Sequence, residues 1–165
     1  MSITLIDETY PFILQGFPAG PKTEPAVRDL FRRMSEIGQR AVKGGTVHVV
    51  VAVGDEHFTA AERRLVAECM AKASREEAER VVGAFAVIES TFARGVLTAL
   101  RWLAPNVIPV VAAGTPDEAI ALAKACLHQA GVDVLPEVVG LARVSARKLH
   151  DSVRGGPASA RADGS

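Results

Sequence analysis

The stretch TVHVVVAVGDEHFTAAERRL (Thr46–Leu65) passes from an aliphatic run into an acidic elbow and then into a helix. Apart from His48, both alternating faces of Thr46–Gly54 are apolar. A strand of that kind is covered on both sides, so it belongs near the middle of a sheet with helices packed against it. Thr59 is followed three residues later by Glu62, a capping box that satisfies two free N–H groups at a helix start. The stretch therefore predicts a buried strand, a tight polar corner and a helix from about Ala60 to about Val81.

Working outward, ITLID (Ile3–Asp7) and FILQGF (Phe12–Phe17) flank ETYP and predict a hairpin with its first strand at or near an edge. PAGPKTEP follows, with Thr23 as a helix cap and Pro25 in the first turn. Val27, Leu30, Phe31, Met34, Ile37 and Ala41 then recur at helical spacing, and KGG (Lys43–Gly45) stops the helix. Beyond the central helix, VGAFAVIES (Val82–Ser90) reads as a buried strand and TFARGVLTALRWLAP as a helix stopped by Pro105. VIPVVAAG (Val107–Gly114) is the last strand. Thr115, Pro116 and Glu118 cap the next helix, which Gly131 closes. A further amphipathic helix spans about Glu137 to Val153, with Arg143 and Arg147 on one face, and RGGPASARADGS reads as a disordered tail.

Strands alternating with helices predict an α/β domain. Its small mixed, mainly parallel sheet has four to five strands, an N-terminal β-hairpin, packed helices joined by right-handed crossovers, and an extra C-terminal helix. The expected organisation is one α/β domain over residues 1–133, an appended helix over 134–153 and the tail over 154–165.

A chain of 165 residues with 48% apolar content supports one well-filled core without disulfide or metal. Nineteen basic and nineteen acidic side chains cancel, so no net field gathers nucleic acid or anionic lipid. Cys69 and Cys126 have no partners at metal-ligand spacing and read as reduced, buried small hydrophobes. No apolar run reaches the ~18 residues of a membrane span, and the N-terminus has neither the basic region nor the apolar run of a secretory signal. A cytoplasmic protein is expected.

At the elbow, Asp55, Glu56 and His57 are consecutive and accompany no HExxH, no G-x-S-x-G and no phosphate-binding glycine loop. Carboxylates just before a helix favour its positive end by a few tenths of a kcal/mol, which explains Asp55 and Glu56 without catalysis. His57 then reads as a solvated loop histidine. His48 reads as a hydrogen-bonded histidine of the strand rather than a metal ligand. No catalytic residue, metal site or cofactor is expected.

Three stretches carry a family resemblance: GDEHFTAAERR after the central strand, VIESTFARGVLTALRWL, and IPVVAAGTPDEAIALAKACL. Together with the element order, over about Ile3 to Ala130, they resemble the STAS-like superfamily, the bacterial anti-sigma-factor antagonists and lipid-transfer-like proteins. The resemblance implies a non-catalytic regulatory module of a signalling pathway. Its partner would be a kinase, an anti-sigma factor or another signalling protein.

In the best-known branch a serine at the helix start after the central strand is phosphorylated. Thr59 holds that place here, and Thr91 corresponds less well. The family's motif is Asp-Ser followed by a small residue and Gly, whereas HFTAA keeps only a hydroxyl, so Thr59 reads first as a plain cap. Arg94, beside the Ser90–Thr91 helix start, suits an anion or a structural carboxylate pair. Trp102 reads as core or subunit contact. The expected partner-binding residues are Asp55, Glu56, His57, Thr59, Ser90, Thr91 and Arg94, with the final helix a docking or homodimer element. The alternative is a small-ligand or lipid binder with a cavity between helix and sheet.

Overall fold

In a computed structural model the chain is described over residues 3–41, 44–52, 59–72, 78–88 and 110–155. Five strands, β1 (Thr4–Ile6), β2 (Phe12–Phe17), β3 (Thr46–Ala52), β4 (Val81–Val87) and β5 (Val110–Ala113), lie side by side in sequence order. β1 pairs antiparallel with β2, Thr4 opposite Gly16 and Ile6 opposite Leu14, and the other pairings are parallel. The described helices are α1 (Glu24–Arg40), α2 (Ala60–Lys72), α3 (Pro116–Gln129) and α4 (Pro136–Arg154). This is the expected α/β class: a mixed, mainly parallel sheet, an N-terminal hairpin at the edge and a C-terminal helix.

The parallel strands succeed one another without a change of direction. Crossovers of one hand then put the two described connecting helices, α1 and α2, on the same face of the sheet. There, α1 sets Leu30, Met34 and Ile37 against Leu5 of β1 and Ile13 of β2, and α2 lies alongside α1. The opposite face must be covered by helices C-terminal to β5. Phe12, Leu14, Val47, Val49, Val51, Phe85 and Val87 form one cluster there with Ala119, Ile120, Ala123 and Leu127 of α3. Val139, Ala142, Ala146, Leu149 and Val153 of α4 join the same cluster. The helix expected as an addition to the domain thus closes its main core.

Two boundaries differ from the sequence expectation. The helix after the elbow does not run to Val81. Glu79 and Arg80 form a turn, because their carbonyls are taken by the backbone ahead of β3. The Gly44 N–H donates to Glu79 O at 3.1 Å, and the N–H groups of Gly45 and Thr46 donate to Arg80 O at 3.2 and 3.0 Å. β4 consequently starts at Val81, one residue before the expected strand. β5 is described from Val110, and residues 107–109 of the expected strand lie outside the described residues. The expected helix of Thr91–Leu103, including Trp102, lies outside the described residues, as does the tail from residue 156.

Close approach of α4 to the sheet depends on Gly16. A Cβ there would stand 2.5 Å from Leu149 Cδ1, 3.0 Å from Leu149 Cγ and 3.3 Å from Val153 Cγ2. Overpacking of this kind costs typically ~1–3 kcal/mol. Gly16→Ala is expected to lower unfolding stability by that amount in urea. The loss should shrink in a Leu149→Ala background, where the added methyl has room; additive losses would disprove the contact.

Candidate functional site

Because β2, β3 and β5 are parallel, the starts of α1, α2 and α3 gather at one edge of the sheet, the place where ligand and partner sites of α/β folds collect. Each start is a threonine cap. The Thr23 hydroxyl accepts the Ala26 N–H at 3.4 Å, and the Thr115 hydroxyl accepts the Glu118 N–H at 3.1 Å. The Glu118 carboxylate returns to the Gly114 N–H at 2.6 Å. Pro116 sits at the first turn of α3, as its fixed φ favours.

The box at α2 goes further. The Thr59 hydroxyl accepts the Glu62 N–H at 3.2 Å, and Glu62 Oε2 accepts the Thr59 N–H at 2.6 Å. Glu62 Oε1 accepts the Lys22 N–H at 2.5 Å, from the loop between β2 and α1. Glu62 is buried, with 8% of its surface exposed. Burial pushes its carboxyl up, but the Lys22 and Thr59 hydrogen bonds and the Lys22 charge together outweigh it. The group is therefore held below the ordinary carboxylate range. Glu62 is at once the helix cap and the clasp joining the first two βα corners. Its capping role is written in the spacing from Thr59; its reach to Lys22 is not, since 40 residues separate them.

Of the residues predicted for partner binding, Thr59 is described, exposed at the start of α2. Asp55, Glu56, His57, Ser90, Thr91 and Arg94 lie outside the described residues. A phosphate on Thr59 would displace an acceptor that caps the helix and would stand beside the Glu62 carboxylate, a repulsion opposing the gain from the helix dipole.

One internal polar pair lies behind this edge. Gln15 of β2 and His48 of β3 meet through Gln15 Nε2 and His48 Nδ1 at 2.7 Å. They share the α1 face, since His48 stands beside Ile13 in the parallel register. Although the residue as a whole is half-buried, burial pushes the imidazole down to about 4, so it is neutral at pH 7. Gln15 then donates to Nδ1 and the ring proton is on Nε2. The expectation of a hydrogen-bonded histidine is met, and the partner is one the sequence did not suggest.

Cys69 and Cys126 are free thiols, Cys69 buried and Cys126 partly so. The Cys126 Sγ donates toward Val82 O at 3.4 Å, and burial pushes its thiol up. Arg147, still exposed, grips Asp117 of α3 with Nε at 3.1 and 2.9 Å and Nη2 at 2.7 Å. It is a fork between the two outer helices. Among the described residues no three His, Cys, Asp or Glu side chains converge as a metal set, and no helix is long and apolar enough to cross a membrane.

Replacing Thr59 by Ala removes one cap bond and should cost about 1 kcal/mol in urea unfolding. Glu62→Ala takes the acceptor from both the Lys22 and the Thr59 N–H groups and should cost about 2–3 kcal/mol. Equal losses for the two variants would contradict the clasp. A separate check uses His48. Its folded value of about 4 lies below the ordinary 6.5, so between those values the unfolded chain takes a proton that the folded chain refuses. Stability should fall as pH drops from about 6.5 to about 4, and His48→Gln should flatten that part of the melting-temperature profile.

Compared with known proteins, the chain matches no family model, no curated protein and no solved structure.

Proposed function

We propose that the chain is a non-catalytic regulatory module of STAS type that binds a protein partner in a bacterial signalling pathway. The partner, a kinase, an anti-sigma factor or another signalling protein, docks through Gly54–Thr59 and Ser90–Arg94, the segments that follow β3 and β4 in the sequence. The observation that carries the reading is the commitment of Thr59 and Glu62 to backbone N–H groups. A carboxylate fixed by two such donors, below its ordinary range, is a structural anion rather than a proton carrier. The mixed sheet with an antiparallel N-terminal edge is compatible with the STAS-like order, and the element sequence supports it.

A small-ligand or lipid binder is the second reading. It rests on the Gln15–His48 pair, a polar spot in an otherwise apolar layer between the sheet and α1. Native mass spectrometry of the freshly purified protein separates the two, because a retained apolar adduct favours the binder.

The direct test is affinity capture from the native host with wild type, Thr59→Asp and Arg94→Ala. Loss of the same partner from both variants is expected, and an unchanged partner list would remove the docking edge.

A further inference from the structure

Helix α4 carries two opposite stripes. Val139, Ala142, Ala146, Leu149 and Val153, spaced 3-4-3-4, close the core. On the far side Glu137, Leu141, Val144 and Lys148, spaced 4-3-4, form a second seam of the kind that packs helix against helix. A surface helix of one domain needs only the first stripe. Leu141 and Val144 are nevertheless 50% and 46% exposed at the centre of the second.

Beside them Gly140 interrupts an exposed helical stretch. A Cβ at Gly140 would meet nothing within 4 Å, so packing inside the chain gives no reason for glycine. Glycine at such a site is unfavourable to the helix, and its usual structural use is to let another backbone approach. Glu137 and Lys148, which end the seam, make no hydrogen bond or ion pair among the described residues.

We propose that this face of α4 docks a second copy of the same chain, with the two α4 helices antiparallel about a two-fold axis. The spacing is self-complementary. With the axis between Ala142 and Arg143, Leu141 of each copy falls opposite Val144 of the other, and Glu137 of each copy falls opposite Lys148 of the other. A single turn of offset loses both matches. A two-fold contact demands such self-complementarity, and charge pairing at its ends sets the register. Gly140 lies beside the crossing, where the helices come closest.

The seam from Glu137 to Lys148 is about 16 Å long. It is smaller than a standard interface, so the dimer should be weak and reversible. The inference is independent of the STAS reading, because it concerns a different face of the molecule.

Sedimentation velocity on the full chain, from about 5 to about 500 µM, tests it. The expected result is a monomer passing to a dimer over that range. Leu141→Glu and Gly140→Gln should each weaken association at least 10-fold while keeping the wild-type circular dichroism, since both sites are open in the single chain. Glu137→Lys and Lys148→Glu should each weaken self-association, and an equimolar mixture of these two variants should regain it. That mixture restores both charge pairs, but only between unlike chains. A chain that stays monomeric at every concentration overturns the proposal, as does a dimer indifferent to Leu141→Glu. So does a mixture of charge variants no stronger than either alone.

Discussion

Strand β3 has to be covered on both faces, and most of the architecture derives from that requirement. Val47, Val49 and Val51 are fully buried toward α3 and α4, while His48, Val50 and Ala52 face the α1 side. Because the parallel strands are laid down in order, connecting helices of one hand cover only one side. The second side is left to the chain after β5. For this reason α4, which comes after the last strand and its helix, is an obligatory part of the core. Gly16 shows how closely it sits, since β2 gives up a side chain to admit Leu149 and Val153.

Within that apolar frame a few polar groups are held by named partners. Gln15 and His48 satisfy one another across neighbouring parallel strands. The Thr9 hydroxyl donates to Phe12 O at 2.7 Å, and the Thr46 hydroxyl donates to Arg80 O at 2.9 Å. Glu62 joins two loops that are distant in sequence. Unsatisfied buried polar groups cost on the order of 1–3 kcal/mol each, so these pairings also select the register in which they can form. Among the described residues no buried side-chain nitrogen or oxygen lacks a partner. At the candidate edge, chemistry that looks catalytic when read as a string of acidic and hydroxyl residues is, where it is described, chemistry that begins helices.

The sequence by itself determined the order of the described elements, the hairpin, the α/β class and the three threonine caps. Each of these depends on residues within about four positions of one another: an aliphatic run, a 3-4 apolar stripe, or a Thr with a Glu three residues on. Local spacing also announced that His48 would be a strand histidine with a partner. Only the tertiary structure decided who that partner is, that Glu62 reaches Lys22, and that Arg147 forks onto Asp117. It also decided that the Glu79–Arg80 carbonyls end the α2–β4 connection, and that α4 belongs to the core rather than beside it. These contacts join residues distant in the chain, and a one-dimensional pattern states only that a group must be buried or bonded. Which group meets it is set by strand register and by the face on which each helix lands.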